Sequence, residues 1–230
     1  MDSLIARFPG KPDADLVICE AHGVAYQADM TAQRVPYGAD YLAKVQAYEG
    51  SPIATKVHAG RLQMLRRHLK PGASLLDWGA GSGEFVRDAR GAGYAAKGFD
   101  VIAETRAALA AAGAFADEPT GFDALTLWDT LEHLEAPDAV LSRVSWGAAV
   151  FVSVPIFRDL SRIRDSRHYR PGEHLYYFTA PGLIYWLALW GFRFLESSAH
   201  EIRAGRDSIG AFAFRRDIPG HREHRALFGA

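Results

Sequence analysis

The most chemically suggestive stretch of the chain is an acid followed by alternating glycines, Asp77-Trp-Gly79-Ala-Gly81-Ser-Gly83. Glycines let a backbone turn tightly and approach a ligand closely. An apolar run, SLLDW (74–78), precedes the loop, and a helical pattern opens at Glu84. The start of that helix adds free N–H groups and a positive dipole end. A dinucleotide fingerprint requires Gly-x-Gly-x-x-Gly. Counting from Gly79 puts Glu84 in the last position, and counting from Gly81 puts Val86 there, so the fingerprint fails. No Gly-Lys-Ser/Thr phosphate loop follows, and Glu84 would repel a pyrophosphate. What remains is acid-x-Gly-x-Gly-x-Gly between a strand and a helix.

A second group lies after a later apolar strand. Asp129, Glu132 and His133 are spaced i, i+3, i+4, which would put them on one face of a helical turn. His133 is a candidate general base, or an imidazole that fixes the turn through backbone hydrogen bonds. With His174 the group offers two carboxylates and two imidazoles, a reasonable donor set for a divalent ion such as Mg or Mn. The alternative is a hydrogen-bonded turn beside a loop histidine. Cys19-Glu-Ala-His22 also has ligand-like spacing, but no second pair accompanies it. The segment 158–174 carries five arginines and reads either as an anion clamp or as a solvated charged loop.

The elements that must position these residues follow from apolar periodicity. LVIC (16–19) and VAY (24–26) form a short hairpin. Tyr37 to Leu69 is helical, broken near Gly50-Ser-Pro52. Strands are expected at 74–78, 95–100, 113–116, 122–128, 148–154, 192–196 and 208–214, with helices at 84–92, 103–112, from Pro137, and at 180–190. This alternation predicts an α/β, Rossmann-like fold: a seven-stranded, mostly parallel sheet with an antiparallel final strand and helices on both faces. The expected organisation is an N-terminal extension and cover helix (1–58), a central domain (59–216) and a solvated tail (217–230). Residues 158–176, together with the N-terminal helix, are expected to form a mobile cover.

LLDWGAGSGEF (75–85) resembles motif I of the class I S-adenosylmethionine-dependent methyltransferases. Gly98-Phe-Asp100 resembles the acidic end of their second strand, FDALTLWDTLEHLEAP (122–137) their motif IV, and HLYYFTAPGLIYWLALWGF (174–192) their His-x-x-x-Phe-Thr helix. The order is the family's own, and the nearest likeness is to ubiquinone-biosynthesis-type O-methyltransferases. The resemblance implies S-adenosylmethionine as cofactor, held by Asp77, Gly79, Ala80, Gly81, Gly83, Asp100, Val101 and Asp129. In similar enzymes an arginine at Arg61 meets the cofactor carboxylate, and an acid at Asp117 the adenine amino group. Tyr37 and Tyr41 either cover the cofactor or form a packing stripe. His133 and His174 are the implied catalytic pair. The Asp129, Glu132, His133, His174 set resembles the metal cluster of small-RNA 2′-O-methyltransferases.

Composition narrows the field. The chain has 230 residues, 49% of them hydrophobic and 12% aromatic, with a net charge of -1, which excludes a mainly disordered chain. A single cysteine rules out an internal disulfide framework and fits a cytoplasmic location. No stretch is apolar enough to span a bilayer. The expected partner is a small-molecule acceptor, with the arginines suited to an anionic group on it and a hydroxyl oxygen as the methylated atom. An RNA 2′-O-methyltransferase and a non-catalytic cofactor-binding protein are the alternatives, and near-neutral charge argues against nucleic acid.

Overall fold

A computed structural model describes residues 10–29 and 36–219. The alternation along the central strands sorts their side chains to two faces. Leu76, Leu125, Val150 and Val152 pack with Leu183, Trp186 and Leu187 on one face. Leu75, Ala124, Ala149 and Phe151 pack with Met64, Leu65, Phe85 and Val86 on the other. A sheet apolar on both faces must be covered by helices on both.

In chain order the elements are β1 (Lys11–Asp13), β2 (Leu16–Cys19), β3 (Val24–Gln27), α1 (Ala39–Glu49), α2 (Pro52–His68), β4 (Ser74–Trp78), α3 (Glu84–Gly91), β5 (Ala95–Phe99), α4 (Ala103–Ala111), β6 (Ala124–Trp128), α5 (Pro137–Leu141), β7 (Ala149–Pro155), β8 (Tyr176–Phe178), α6 (Ala180–Ala188), β9 (Phe192–Ser198), α7 (His200–Arg203) and β10 (Ile209–Arg216). The central sheet has the order β5-β4-β6-β7-β10-β9. The first four strands are parallel, and β10 runs antiparallel to both of its neighbours.

The sheet therefore has six strands, not the expected seven. The segment 113–116 contributes only an isolated bridge, Gly98 to Phe115. Ala114 and Ala116 each exchange one backbone hydrogen bond with Gly98, and the chain then leaves the edge. The expected strand is too short to become a ladder.

A second sheet, β1-β2-β3-β8, joins the N-terminal hairpin to a strand at 176–178. It is attached to the end of β7 by a parallel bridge between Ile156 and Phe178. The segment 158–176 packs against the hairpin and is not a fully solvated charged loop. Leu160 and Ile163 are buried with Leu16, Ala25, Phe157 and Tyr177 in a third small core. Arg164 pairs with Asp13 and Asp15 of the hairpin, Arg162 with Asp165 and Arg170 with Glu173. Apolar residues at 160 and 163 meet the hairpin face, and several of the arginines intended for an anion are taken up by neighbouring acids. The expected tail lies outside the described residues from 220 onward. Among the described residues no helix is long and apolar enough to cross a membrane.

Candidate active site

The carboxyl ends of β4, β5, β6 and β7 meet at one edge of the sheet. From β4 the chain runs out to β5 on one side and then returns to β6 on the other side of β4, and such a switch point opens a crevice for ligands. The glycine loop leaves β4 there. Gly79, Gly81 and Gly83 all have left-handed φ, at 88°, 59° and 79°. A Cβ on Gly79 would overlap the Thr130 hydroxyl, and one on Gly81 would come 3.0 Å from Val45 Cγ1. The backbone donors of Gly79 and Ala80 both reach the Phe99 carbonyl, at 2.8 and 2.9 Å. Gly81 donates to Asp100 Oδ2 (2.8 Å) and Ile102 to Asp100 Oδ1 (2.9 Å), so Asp100 ties the loop to the end of β5. Burial raises its proton affinity, against those backbone bonds.

Asp77 sits beneath the loop with 3% of its surface exposed. Thr126 donates to its Oδ1 at 2.6 Å. Burial pushes its pKa up to about 6. Ala80 turns inward against Val86 and the β5 backbone and packs there. Val101 is 60% exposed beside the crevice, an open apolar surface. Asp117 is exposed beyond the 113–116 segment.

The expected cluster at 129–133 is split by the structure. Asp129 has a left-handed φ of 53°, and a 3-10 turn, Leu131–His133, follows. That bend removes the helical face on which the i, i+3, i+4 spacing depended. Asp129 Oδ2 accepts from Arg61 Nη2 (3.0 Å) and Arg206 Nη1 (2.8 Å). Arg61 also donates to Glu201 Oε1 (2.8 Å) and Ser153 Oγ (3.2 Å), and its guanidinium lies 4.7 Å over the Trp128 ring. Arg206 reaches Glu201 Oε2 at 2.7 Å. Two arginines and two carboxylates thus close a buried network joining α2, the end of β6 and the α7–β10 connection. The arginines and Glu201 hold each other ionised, and the Glu201 carboxyl is driven well below the usual range despite burial. Arg61 spends these bonds on protein groups, where the resemblance assigned it to the cofactor carboxylate. Sequence reasoning missed Arg206 and Glu201, which lie about 140 residues from Arg61 and carry no local signal.

Glu132 and His133 instead meet His174. The Leu175 N–H donates to the Glu132 carbonyl at 2.7 Å, which draws the start of β8 against the turn. His133 and His174 stand perpendicular with ring centres 4.7 Å apart. His174 Nδ1 lies 2.9 Å from the His168 carbonyl, and His133 Nδ1 lies 3.0 Å from the Glu173 carbonyl. A carbonyl can only accept, so each Nδ1 carries the proton and each Nε2 keeps its lone pair. The Tyr37 hydroxyl stands 3.0 Å from His133 Nδ1. Burial and His133 lower the His174 pKa to about 3, so that ring is neutral. Glu132 is buried, its Oε2 has no hydrogen-bond partner among the described residues, and burial beside Asp129 raises its pKa well above normal. Donor atoms of Glu132, His133 and His174 lie within 4.8 Å of one another. Asp129 is not in that group. Cys19 and His22 are a hydrogen-bonded pair, Sγ to Nδ1 3.1 Å, in the hairpin connection.

Helix α1 lies across the crevice. Besides the Tyr37 contact, Tyr48 packs over Arg206, whose Cζ is 5.6 Å from the ring centre. Tyr37 and Tyr41 stack edge to face at 4.8 Å. Burial strongly raises the proton affinity of Tyr41, and Tyr37, Glu173, Asp129 and Asp100 add to the effect. The pair thus sits beside His133, with Tyr37 in contact with its ring.

Residues 53–197 match the sequence signature of a family described as Methyltransferase domain. Among solved structures, a methyltransferase in complex with the Haloferax volcanii Trm112 methyltransferase activator superposes with a TM-score of 0.60 at 13% identity, over 77% of this chain and 96% of that one. An S-adenosylmethionine-dependent methyltransferase from Archaeoglobus fulgidus gives 0.55 at 17%, over 77% and 100%. The Burkholderia thailandensis 1,6-didemethyltoxoflavin-N1-methyltransferase, with bound 1,6-didemethyltoxoflavin and S-adenosylhomocysteine, gives 0.52 at 20%, over 91% and 99%. At these identities the likeness is one of fold. No curated protein matches the sequence significantly.

Proposed function

The chain belongs to the methyltransferase-domain family, and from that premise we propose that this S-adenosylmethionine-dependent enzyme methylates a small molecule, at a hydroxyl oxygen. The observation that carries the reading is the crevice itself: a glycine cradle flanked by two buried acids, beside the His133–His174 pair. The cradle fits the cofactor, since three glycines with left-handed φ leave the turn after β4 as bare backbone and the buried acids suit a ligand with a cationic end and ribose hydroxyls. When bound, the cofactor supplies an electrophilic sulfonium methyl.

The chain's own groups do the rest. Asp77 balances the cationic end of the cofactor, Asp100 holds both the loop and the ribose side, and Val101 offers an apolar face to the base. The α1 tyrosines exclude water from above. His133 accepts the acceptor's proton at Nε2, because its Nδ1–H is held by the Glu173 carbonyl. His174 is too weak a base to compete and serves to orient His133. The solved relative that holds 1,6-didemethyltoxoflavin methylates a nitrogen, so a nitrogen acceptor is the rival outcome. The order of its motifs supports a reading as a ubiquinone-biosynthesis-type O-methyltransferase, and a single cysteine is in keeping with a cytoplasmic enzyme.

A specific observation supports a second role for the same histidines. The orphaned Glu132 Oε2 and two imidazoles with pinned Nδ1 protons are the donor chemistry of a divalent metal site. Glu132, His133 and His174 would hold the ion, and Asp129 would not. A metal there would supply Lewis acidity towards an acceptor oxygen. Incubation with methyl-labelled cofactor and fractionated extract, with and without chelator, tests both readings. A labelled small molecule whose fragmentation places the methyl on oxygen supports the proposal, label on nitrogen corrects it, and label only on RNA or protein rejects it. Activity unchanged by chelator rejects the metal.

A further inference from the structure

The contact between α1 and the glycine loop is unusual for a helix so lightly held. No side chain of α1 is fully buried, and Tyr41 and Glu49 are half-buried. Its last residue, Glu49, nevertheless reaches the loop: Ser82 Oγ donates to Glu49 Oε2, and Oε1 would stand 3.4 Å from a Cβ on Gly81. Among the described residues no ion pair joins Glu49 to a cation. The groups facing it are mostly of its own sign: Glu84 on α3 and Asp77 at the end of β4, with Arg87 on α3 as the nearby cation and Ser82 as the hydrogen-bond donor. Glu84 Oε2 is itself buried without a partner. A carboxylate brought by a cover helix to a loop flanked by two other acids is unfavourable unless a proton or a further cation arrives with it.

We infer that Glu49 is a cofactor-binding residue, which receives the cationic amino end of S-adenosylmethionine against the glycine loop and so couples cofactor binding to seating of α1. This rests on the cofactor assignment and adds a residue that motif I does not contain. Burial and the charge of Glu84 push the Glu49 carboxyl up to about 7. It is therefore about half protonated at neutral pH, and binding that requires the anion expels the proton.

S-adenosylhomocysteine carries the same amino end and serves as the probe. If only ionised Glu49 binds, affinity rises about tenfold between pH 6 and pH 8, and about half a proton is released per site at pH 7. Asp77, at about 6, adds only about a twofold change over that range and about a tenth of a proton at pH 7. Glu49→Gln keeps an acceptor for Ser82 but loses the charge. A purely structural contact would leave its binding intact; the inference expects about tenfold weaker binding at pH 8, with only the small Asp77 dependence left. Glu49→Asp should recover part of the pH dependence.

Titration calorimetry in buffers of different ionisation enthalpy reads the proton count on the unmodified enzyme, whatever the fate of the variants. Glu49→Gln binding as tightly as the native enzyme at pH 8, or a native enzyme that releases no proton at pH 7, overturns the inference. A native enzyme that fails to bind S-adenosylhomocysteine at any pH overturns the cofactor assignment itself.

Discussion

Replacing Asp77 by asparagine should make the protein more stable and a poorer binder of its cofactor. Asp77 is 3% exposed, and burial outweighs the Thr126 hydrogen bond and the Arg61 charge in setting its pKa at about 6. An unfolded aspartate titrates near about 3.9, so folding raises the value by about 2 units, at about 1.4 kcal/mol each. Because the folded pKa lies above the unfolded one, the native state holds the extra proton between about pH 4 and pH 6. Stability is thus lost as pH rises through that window, reaching a cost of about 3 kcal/mol at pH 8. Asparagine keeps an oxygen for the Thr126 hydroxyl and removes the charge. Asp77→Asn should therefore gain up to about 3 kcal/mol at pH 8 and almost nothing near pH 4. Urea unfolding followed by circular dichroism at the two pH values measures the difference. S-adenosylhomocysteine binding at pH 8 should weaken by about 1.5–3 kcal/mol, the range for a hydrogen bond to a charged group. A variant no more stable than the native protein at pH 8, or equally stabilised at both pH values, would refute the reasoning.

Other outcomes follow from the same geometry. Arg61→Ala should cost about 3–5 kcal/mol, because it leaves Glu201 and Asp129 with one buried arginine between them; a loss under about 1 kcal/mol in urea unfolding would show the network to be solvated. Arg61→Ala combined with Glu201→Gln should cost less than the two single changes added, since the sites share partners. His133→Ala should lower kcat by about 10²–10⁴-fold while leaving S-adenosylhomocysteine affinity near native, and an unchanged kcat in single-turnover assays would remove His133 from the chemistry. Gly79→Ala should abolish cofactor binding and lower stability, as φ is 88° and the new methyl meets Thr130; normal S-adenosylhomocysteine binding by this variant would mean that the loop does not form the cradle.

Local chemistry made much of this protein legible in one dimension. The glycine loop could be read because the acid, the glycines, the strand before and the helix after are contiguous, and the steric demand acts within a few residues. The strands β4, β6 and β7 and helices α2, α3 and α6 were legible for the same reason: burial on both faces of a sheet leaves uninterrupted apolar runs, and Pro, Gly and capping residues mark the helix ends. The segment 113–116 was misread because strand identity depends on a partner's length of contact, which the run itself does not encode. The fate of Asp129, Glu132 and His133 was decided by tertiary structure. Their spacing suited a helical face, but a left-handed backbone at Asp129 sent one carboxylate to two arginines and left the other with two imidazoles. Arg206 and Glu201 reach the crevice from distant elements through long-range pairing that compensates buried charge, and Glu49 reaches it through a hydrogen bond from Ser82. A sequence displays charges, but only the folded chain determines which are brought together out of water, and there each must find a partner, a proton or a ligand.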